Sequence, residues 1–143
     1  AATTLETEAY PYAATGHSVC AILDAGRGQF SWATFGPMAE PLHQTTPEAI
    51  ANTEELMATL PPDTLICGEG LEKFGEDIHA SVGKSMRLAL PYLPGQRVIS
   101  LAYMGWQRLQ AGQLQDPTTL QPFYLRRPSI SQPKRPIVRP TNP

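Results

Sequence analysis

Histidine is scarce in this sequence and scattered: there are three, His17, His43 and His79. There is no Gly-x-Ser-x-Gly either. A hydrolase needs a nucleophile, an adjacent base and a third group that orients the base. A zinc site announces itself through close ligand pairs presented by one turn. The nearest such pair, His17 with Cys20, has no matching second pair. The expectation is that no residue here is catalytic, that none holds a metal and that no cofactor is required. The paired carboxylates Glu54-Glu55 and Glu76-Asp77 do not change this, because adjacent residues on a helix diverge and make a solvated face.

Long apolar runs are also missing. No stretch approaches the ~20 residues of a membrane span. The N-terminal "AATTLE" carries no basic n-region followed by an apolar stretch, so no signal peptide is expected. That start without methionine fits either initiator removal or a piece of a longer chain. Cysteine is limited to Cys20 and Cys67, each inside an apolar run. Two buried free thiols in a reducing cytosol are the expectation, and with them a cytoplasmic location.

Acidic residues are absent from Arg126 onward, where five basic residues fall. Six basic and thirteen acidic residues precede them, a net of −7. A domain of that charge is not built as a nucleic-acid platform, and strong direct binding of nucleic acid is not expected. Five of the last sixteen residues are proline, so residues 130–143 read as a disordered basic tail on a domain spanning 1–129.

What is present reads as alternating α/β structure. "LETEAYPYAATG" is a short helix or loop broken at Pro11 and Gly16. Val19–Leu23 is a continuous apolar run, the mark of a strand covered on both faces. "DAGRG" is turn chemistry, in which Asp24 can bond nearby backbone and glycines take positive φ. With the extended run to Phe35 it predicts a hairpin turning near Ala25–Gly28. A helix is expected from Thr46 as N-cap and Pro47, burying Ile50, Thr53, Met57 and Leu60 and stopped by Pro61-Pro62. "DTLICGEG" is a short buried strand, "LEKFGEDIHASVG" a helix weakened by Gly75, and "SMRLALPYL" a strand. "GQRVISLAYMGWQRLQAGQ" is a second good helix, with Val98, Ala102, Gly105 and Leu109 on its packing face and Gly112 as C-cap.

Phosphate cradles need glycines ahead of a helix N-terminus. "CGEGLEKFG" has that context without the full G-x-G-x-x-G, so a nucleotide contact at Gly68 and Gly70 stands beside a plain tight turn. Phe30, Trp32 and Phe35 have Arg27 as their one basic neighbour, which favours core packing over base stacking.

Several of these segments resemble the TsaB (YeaZ) family. "ILDAGRGQFSWATF" is similar to its strand–turn–strand, "ATTLETEAY" to the segment entering its second half, and "DTLICGEGLEKF" to its strand and glycine turn. "GWQRLQAGQLQDPTTLQPFYLRRPS" is similar to its last helix and closing peptide. Gly26, Gln29 and Glu69 depart from the usual residues. The resemblance reaches Ser129 and covers only the family's C-terminal half. It implies half of an RNase-H-like, actin-like (ASKHA) fold, a mixed sheet with an antiparallel hairpin and flanking helices. Asp24, Arg27, Gly28, Asp116, Pro117, Tyr124 and Arg126 would be its motif residues, structural in role. It further implies a non-catalytic scaffold that supports a TsaD-like catalytic subunit, with a TsaE-like ATPase, in making threonylcarbamoyladenosine in tRNA. The partner surface would belong largely to the other half, and a homodimer is compatible with it. A metal-dependent peptidase of the glycoprotease type and a nucleotide-binding ASKHA protein are the alternatives. The closing peptide would be a strap, stiffened by Pro117 and Pro122, with Phe123 and Leu125, or Tyr124, packed back on the domain; a partner-binding peptide in polyproline form is the competing reading.

Overall fold

The hairpin is the spine of the structure. A computed structural model describes residues 1–37, 42–82 and 85–125. Within it β1 (Val19–Gly26) and β2 (Gln29–Phe35) pair antiparallel from Val19 with Phe35 to Gly26 with Gln29. Arg27 and Gly28 form the turn, both at positive φ (58° and 72°), the combination a two-residue hairpin loop demands. Gly26, also at positive φ, marks a register shift after Asp24.

Three shorter strands complete a sheet ordered β3-β2-β1-β4-β5. β3 (Ala49–Ala51) is antiparallel to β2, whereas β4 (Leu65–Cys67) and β5 (Arg87–Leu88) run parallel to β1 and to each other. The mixed α/β sheet with one antiparallel hairpin and flanking helices is the architecture expected from the sequence.

Each sheet face has its own core. On one, Cys20, Ile22, Phe30 and Trp32 meet α2 (Thr53–Thr59) and α3 (Gly70–Val82) through Leu56, Leu71, Phe74 and Ile78. Phe30 and Phe74 meet edge to face with centroids 5.2 Å apart. On the other, Val19, Ala21, Ala33 and Phe35 meet Leu5 and Ala9 of α1 (Thr4–Ala9). A 3-10 turn, Tyr10–Thr15, ends at left-handed Gly16, where the break was expected. α4 (Pro94–Gln110) lies outside α1, with Met104 buried between them.

Four expectations are corrected. The helix expected from Thr46 begins at Thr53, capped by Asn52, whose side chain accepts from Glu55 N–H while Glu55 accepts from Asn52 N–H. Residues 49–51 are spent on the edge strand instead, and Thr46 Oγ1 accepts from Thr34 N–H at 2.9 Å. Sheet pairing outcompetes a plausible cap, and Leu56 is the fully buried residue of that helix. Gly75 does not interrupt α3, which runs unbroken for 13 residues. On α4 the inward residues are Arg97, Ser100, Met104 and Arg108, and the stripe Val98, Ala102, Gly105 and Leu109 faces solvent. Gly112 does cap that helix, with φ 67° and Gln113 N–H donating to Arg108 C=O. The strand expected in "SMRLALPYL" is two residues long.

Candidate functional site

Asp24 sits where the hairpin meets α3. One carboxylate oxygen accepts from Gly26 N–H and the other pairs with Lys73 Nζ, both at 2.8 Å. The Lys73 hydrogen bond, followed by the Gly26 N–H, holds the Asp24 carboxyl below the usual carboxylate range. Lys73 also lies 5.0 Å from the Phe74 ring centroid. The motif aspartate thus ties hairpin to helix. Arg27 and Gly28 project at the exposed tip.

Gly68 and Gly70 have a packing explanation. The β4–α3 turn crosses directly over β1, and a Cβ on Gly68 would fall 2.4 Å from Ile22 O, with φ already at +103°. A Cβ on Gly70 would fall 2.9 Å from Ile22 Cγ1. Both positions need hydrogen as a side chain for the strand–turn–helix to close, which is the tight-turn reading of "CGEG".

Glu69, between them, belongs to a polar cluster not anticipated from the sequence. Glu8 of α1 is 6% exposed, in the layer beneath α4. Its carboxylate accepts from Arg97 Nε at 2.8 Å, from Arg97 Nη2 and from Tyr92 O–H at 3.1 Å. Arg97 Nη2 also reaches Glu69 at 2.8 Å. One guanidinium therefore joins α1, the glycine turn and the first turn of α4. Partial burial pulls the Arg97 pKa down, and the hydrogen bonds to Glu69 and Glu8 more than reverse it, so it stays above the ordinary arginine value. A signal existed: Leu5, Glu8 and Ala9 share one helical face, which puts a carboxylate on a buried stripe.

Burial, then the Glu8 charge, pushes Tyr92 up to about 12. A raised phenol stabilises the fold fully below the unfolded value near 10, and that contribution is lost as pH climbs through about 12. Tyr92→Phe is expected to cost about 1–2 kcal/mol at pH 7. It should also flatten the loss of stability between pH 10 and 12. Urea unfolding at a series of pH values checks both; equal alkaline slopes for the two proteins would contradict the Tyr92–Glu8 bond.

The closing peptide does not lie down on the domain as a strap. Asp116 opens a turn by accepting from Thr118 N–H and Oγ1 at 2.8 and 2.7 Å, with Pro117 inside it. These bonds keep the Asp116 carboxyl below its usual range. Beyond it Phe123 and Tyr124 are 73% and 69% exposed, and Leu125 is half-buried. Both rings line a groove of about 1130 Å³ rather than entering a closed core. Leu23, Ser31 and Ile50 line its sheet side, and Leu120, Phe123 and Tyr124 its peptide side. Hairpin and closing peptide thus border one groove, together with α1 and the end of α4, although Asp24, Arg27, Gly28, Asp116 and Pro117 are not among its lining. Arg126 and the tail 130–143 lie outside the described residues.

Both cysteines are buried, and desolvation pushes both thiols up, away from the reactive thiolate. His17 Nδ1 lies 3.1 Å from Asp63, which Arg87 also pairs at 2.7 Å. Among the described residues no group of three or more His, Cys, Asp or Glu is placed to hold a metal ion, and no helix is long and apolar enough to cross a membrane.

No family model and no curated protein matches the sequence. Among solved structures, the chain is similar to one described as an uncharacterized protein with similarity to peptidase YeaZ, from Pseudomonas aeruginosa. The TM-score is 0.56 at 21% identity, over 86% of this chain and 55% of that one. The chain thus spans about half the length of the structure it matches, and over most of its own length it shares that structure's YeaZ-like fold.

Proposed function

We propose that this chain is a non-catalytic scaffold unit of TsaB type, supporting a TsaD-like catalytic subunit in the threonylcarbamoyladenosine modification of tRNA. One observation carries the reading. Two of the segments that bear the family resemblance, the hairpin and the closing peptide, line one groove within a YeaZ-like fold. That groove is walled by aliphatic and aromatic side chains interspersed with polar and charged ones, among them Glu6, Glu48 and Arg108, a mixed surface of the kind on which a protein partner docks. A TsaE-like ATPase joins the same assembly, and the domain runs to residue 129 with a basic tail after it.

Co-purification tests the reading. This chain alone is expected to retain a TsaD-like subunit weakly or not at all, because the main partner surface belongs to the other half of the scaffold. Joined to the N-terminal half of a YeaZ-like protein, it is expected to co-purify stoichiometrically and to support modified-nucleoside formation, read by mass spectrometry of digested tRNA. Tight binding by the chain alone would misplace the partner surface. Failure of the joined protein to bind or support modification would remove the function.

The matched structure's description names a peptidase, which keeps a metallopeptidase as the second reading. Elemental analysis of the purified chain separates the two: stoichiometric zinc or iron with peptide cleavage would favour the enzyme.

A further inference from the structure

The groove beside the closing peptide is open because α1 covers only part of its sheet face. α1 packs on Val19, Ala21, Ala33 and Phe35. One cross-strand row farther along, Leu23 paired with Ser31 and Ser31 with Ile50, is left half-buried and lines the groove. Phe123 and Tyr124 line it from the closing peptide with most of their surface exposed. Two carboxylates border it. Glu6 is held by Arg108, whereas Glu48, just ahead of β3, has no ion-pair partner among the described residues. At about 1130 Å³ the groove exceeds the roughly 300–1,000 Å³ of small-molecule sites and suits an extended peptide.

We propose that this groove is a binding site for a basic polyproline-type strand, and that its occupant is the chain's own tail, with Pro133, Pro136 and Arg139 as the contact ridge. Three observations select that occupant. Continuity is the first. Leu125 lines the groove and the tail starts at the next residue, with residues 126–132 long enough for a return loop. Periodicity is the second. A polyproline II strand turns once every three residues, so Pro133, Pro136 and Arg139 fall on one ridge at intervals of about 9 Å. Proline rings on exposed aromatic faces are how aromatic-lined grooves take P-x-x-P segments, here Pro133-Lys134-Arg135-Pro136. Such a strand keeps its own N–H and C=O groups free, and Ser31 and Gln121 on the lining offer them partners. Charge is the third. The tail has five basic residues and no acidic one, against a net of −7 before it, and Arg139 on the ridge is the counterpart of Glu48. Tethering makes even weak affinity sufficient, because a short linker holds the tail at an effective concentration on the order of millimolar. The inference rests on the proposed function only in taking the groove as a docking surface. It adds that the tail covers this surface until a partner displaces it.

Backbone relaxation measured by NMR on the full 143-residue chain tests this. The amides of Lys134, Arg135 and Ile137 to Arg139 are expected to show order parameters of about 0.8, against below ~0.6 for a free tail. The values should hold on dilution, because the contact is intramolecular. Pro133→Ser with Pro136→Ser leaves residues 1–125 unaltered. It should drop those amides below ~0.6 and shift the signals of Ser31, Ile50 and Tyr124. Glu48→Arg should release the tail in the same way, and Arg139→Glu added to it should restore the order. A flexible tail in the unaltered chain overturns the proposal and leaves its charge to an anionic partner. Order lost on dilution also overturns it, since the groove would then hold the tail of another molecule. Order that survives either the proline or the Glu48 change would place the tail on another surface. Every readout concerns the chain alone, so co-purification with a TsaD-like subunit can fail while the tail is docked, and a working scaffold can have a free tail.

Discussion

Gly68→Ala is expected to lower the melting temperature by about 10 °C, a loss of ~3 kcal/mol or more for a domain of this size. Two costs add at this residue. An alanine at φ +103° is strained by roughly 1–3 kcal/mol before anything is touched. Its methyl would then meet the Ile22 carbonyl oxygen at 2.4 Å, and that atom is backbone in the central strand, fixed by the ladders to β2 and β4. A flexible side chain could swing away; this carbonyl can move only if β1 or the turn moves. Gly75→Ala is the matched control. It lies inside α3 with no atom within 4 Å of the added methyl. It should stabilise by about 0.5–1 kcal/mol, the usual difference between glycine and alanine in a helix. Thermal unfolding followed at 222 nm reads both. A Gly68→Ala protein as stable as the parent would mean the turn does not cross β1 so closely, and a ligand role for that glycine would regain its case.

The contrast between those glycines also shows which features were legible in the sequence. The hairpin was, because its determinants are local: an apolar run, a turn that needs positive φ at Gly28, and an aspartate able to reach Gly26 N–H. The buried β4 and the Gly112 cap were legible for the same reason. The face of α4 was not. Periodicity groups Val98, Ala102, Gly105 and Leu109 correctly but cannot say what covers them, and the opposite face wins because Arg97 and Arg108 find Glu8 and Glu6, about 90–100 residues earlier in the chain. β3 was hidden by length, since three residues at a sheet edge offer no alternation to detect, while Thr46-Pro47 offered a convincing helix start. The closing peptide was legible as a distinctive motif. Its position was not, because whether Phe123 and Tyr124 are buried depends on the width of a groove formed by distant residues.

The Glu8–Arg97 pair carries the second large effect. Arg97→Met leaves the Glu8 carboxylate at 6% exposure with Tyr92 as its remaining side-chain donor. Removing one partner of a buried pair costs up to about 3–5 kcal/mol. Arg97 is itself a third exposed, so water reaches part of the vacated site and about 2–4 kcal/mol is expected. Glu69→Gln should cost under about 1 kcal/mol, because that carboxylate is more than a third exposed. The decisive protein is Glu8→Gln combined with Arg97→Met. With the buried charge gone, the loss of the guanidinium should hurt less, and the double variant is expected to be more stable than Arg97→Met alone, with a coupling of about 1–3 kcal/mol. Chemical denaturation of the four proteins closes the cycle, and additive losses would show that the two residues do not act as a pair. Hydrogen exchange locates the damage. In Arg97→Met the amides of α4 should lose protection before those of β1 and β2, because Arg97 anchors the helix while the hairpin keeps its own core. A uniform loss across the sheet would instead mean that α4 is part of one cooperative unit with the hairpin.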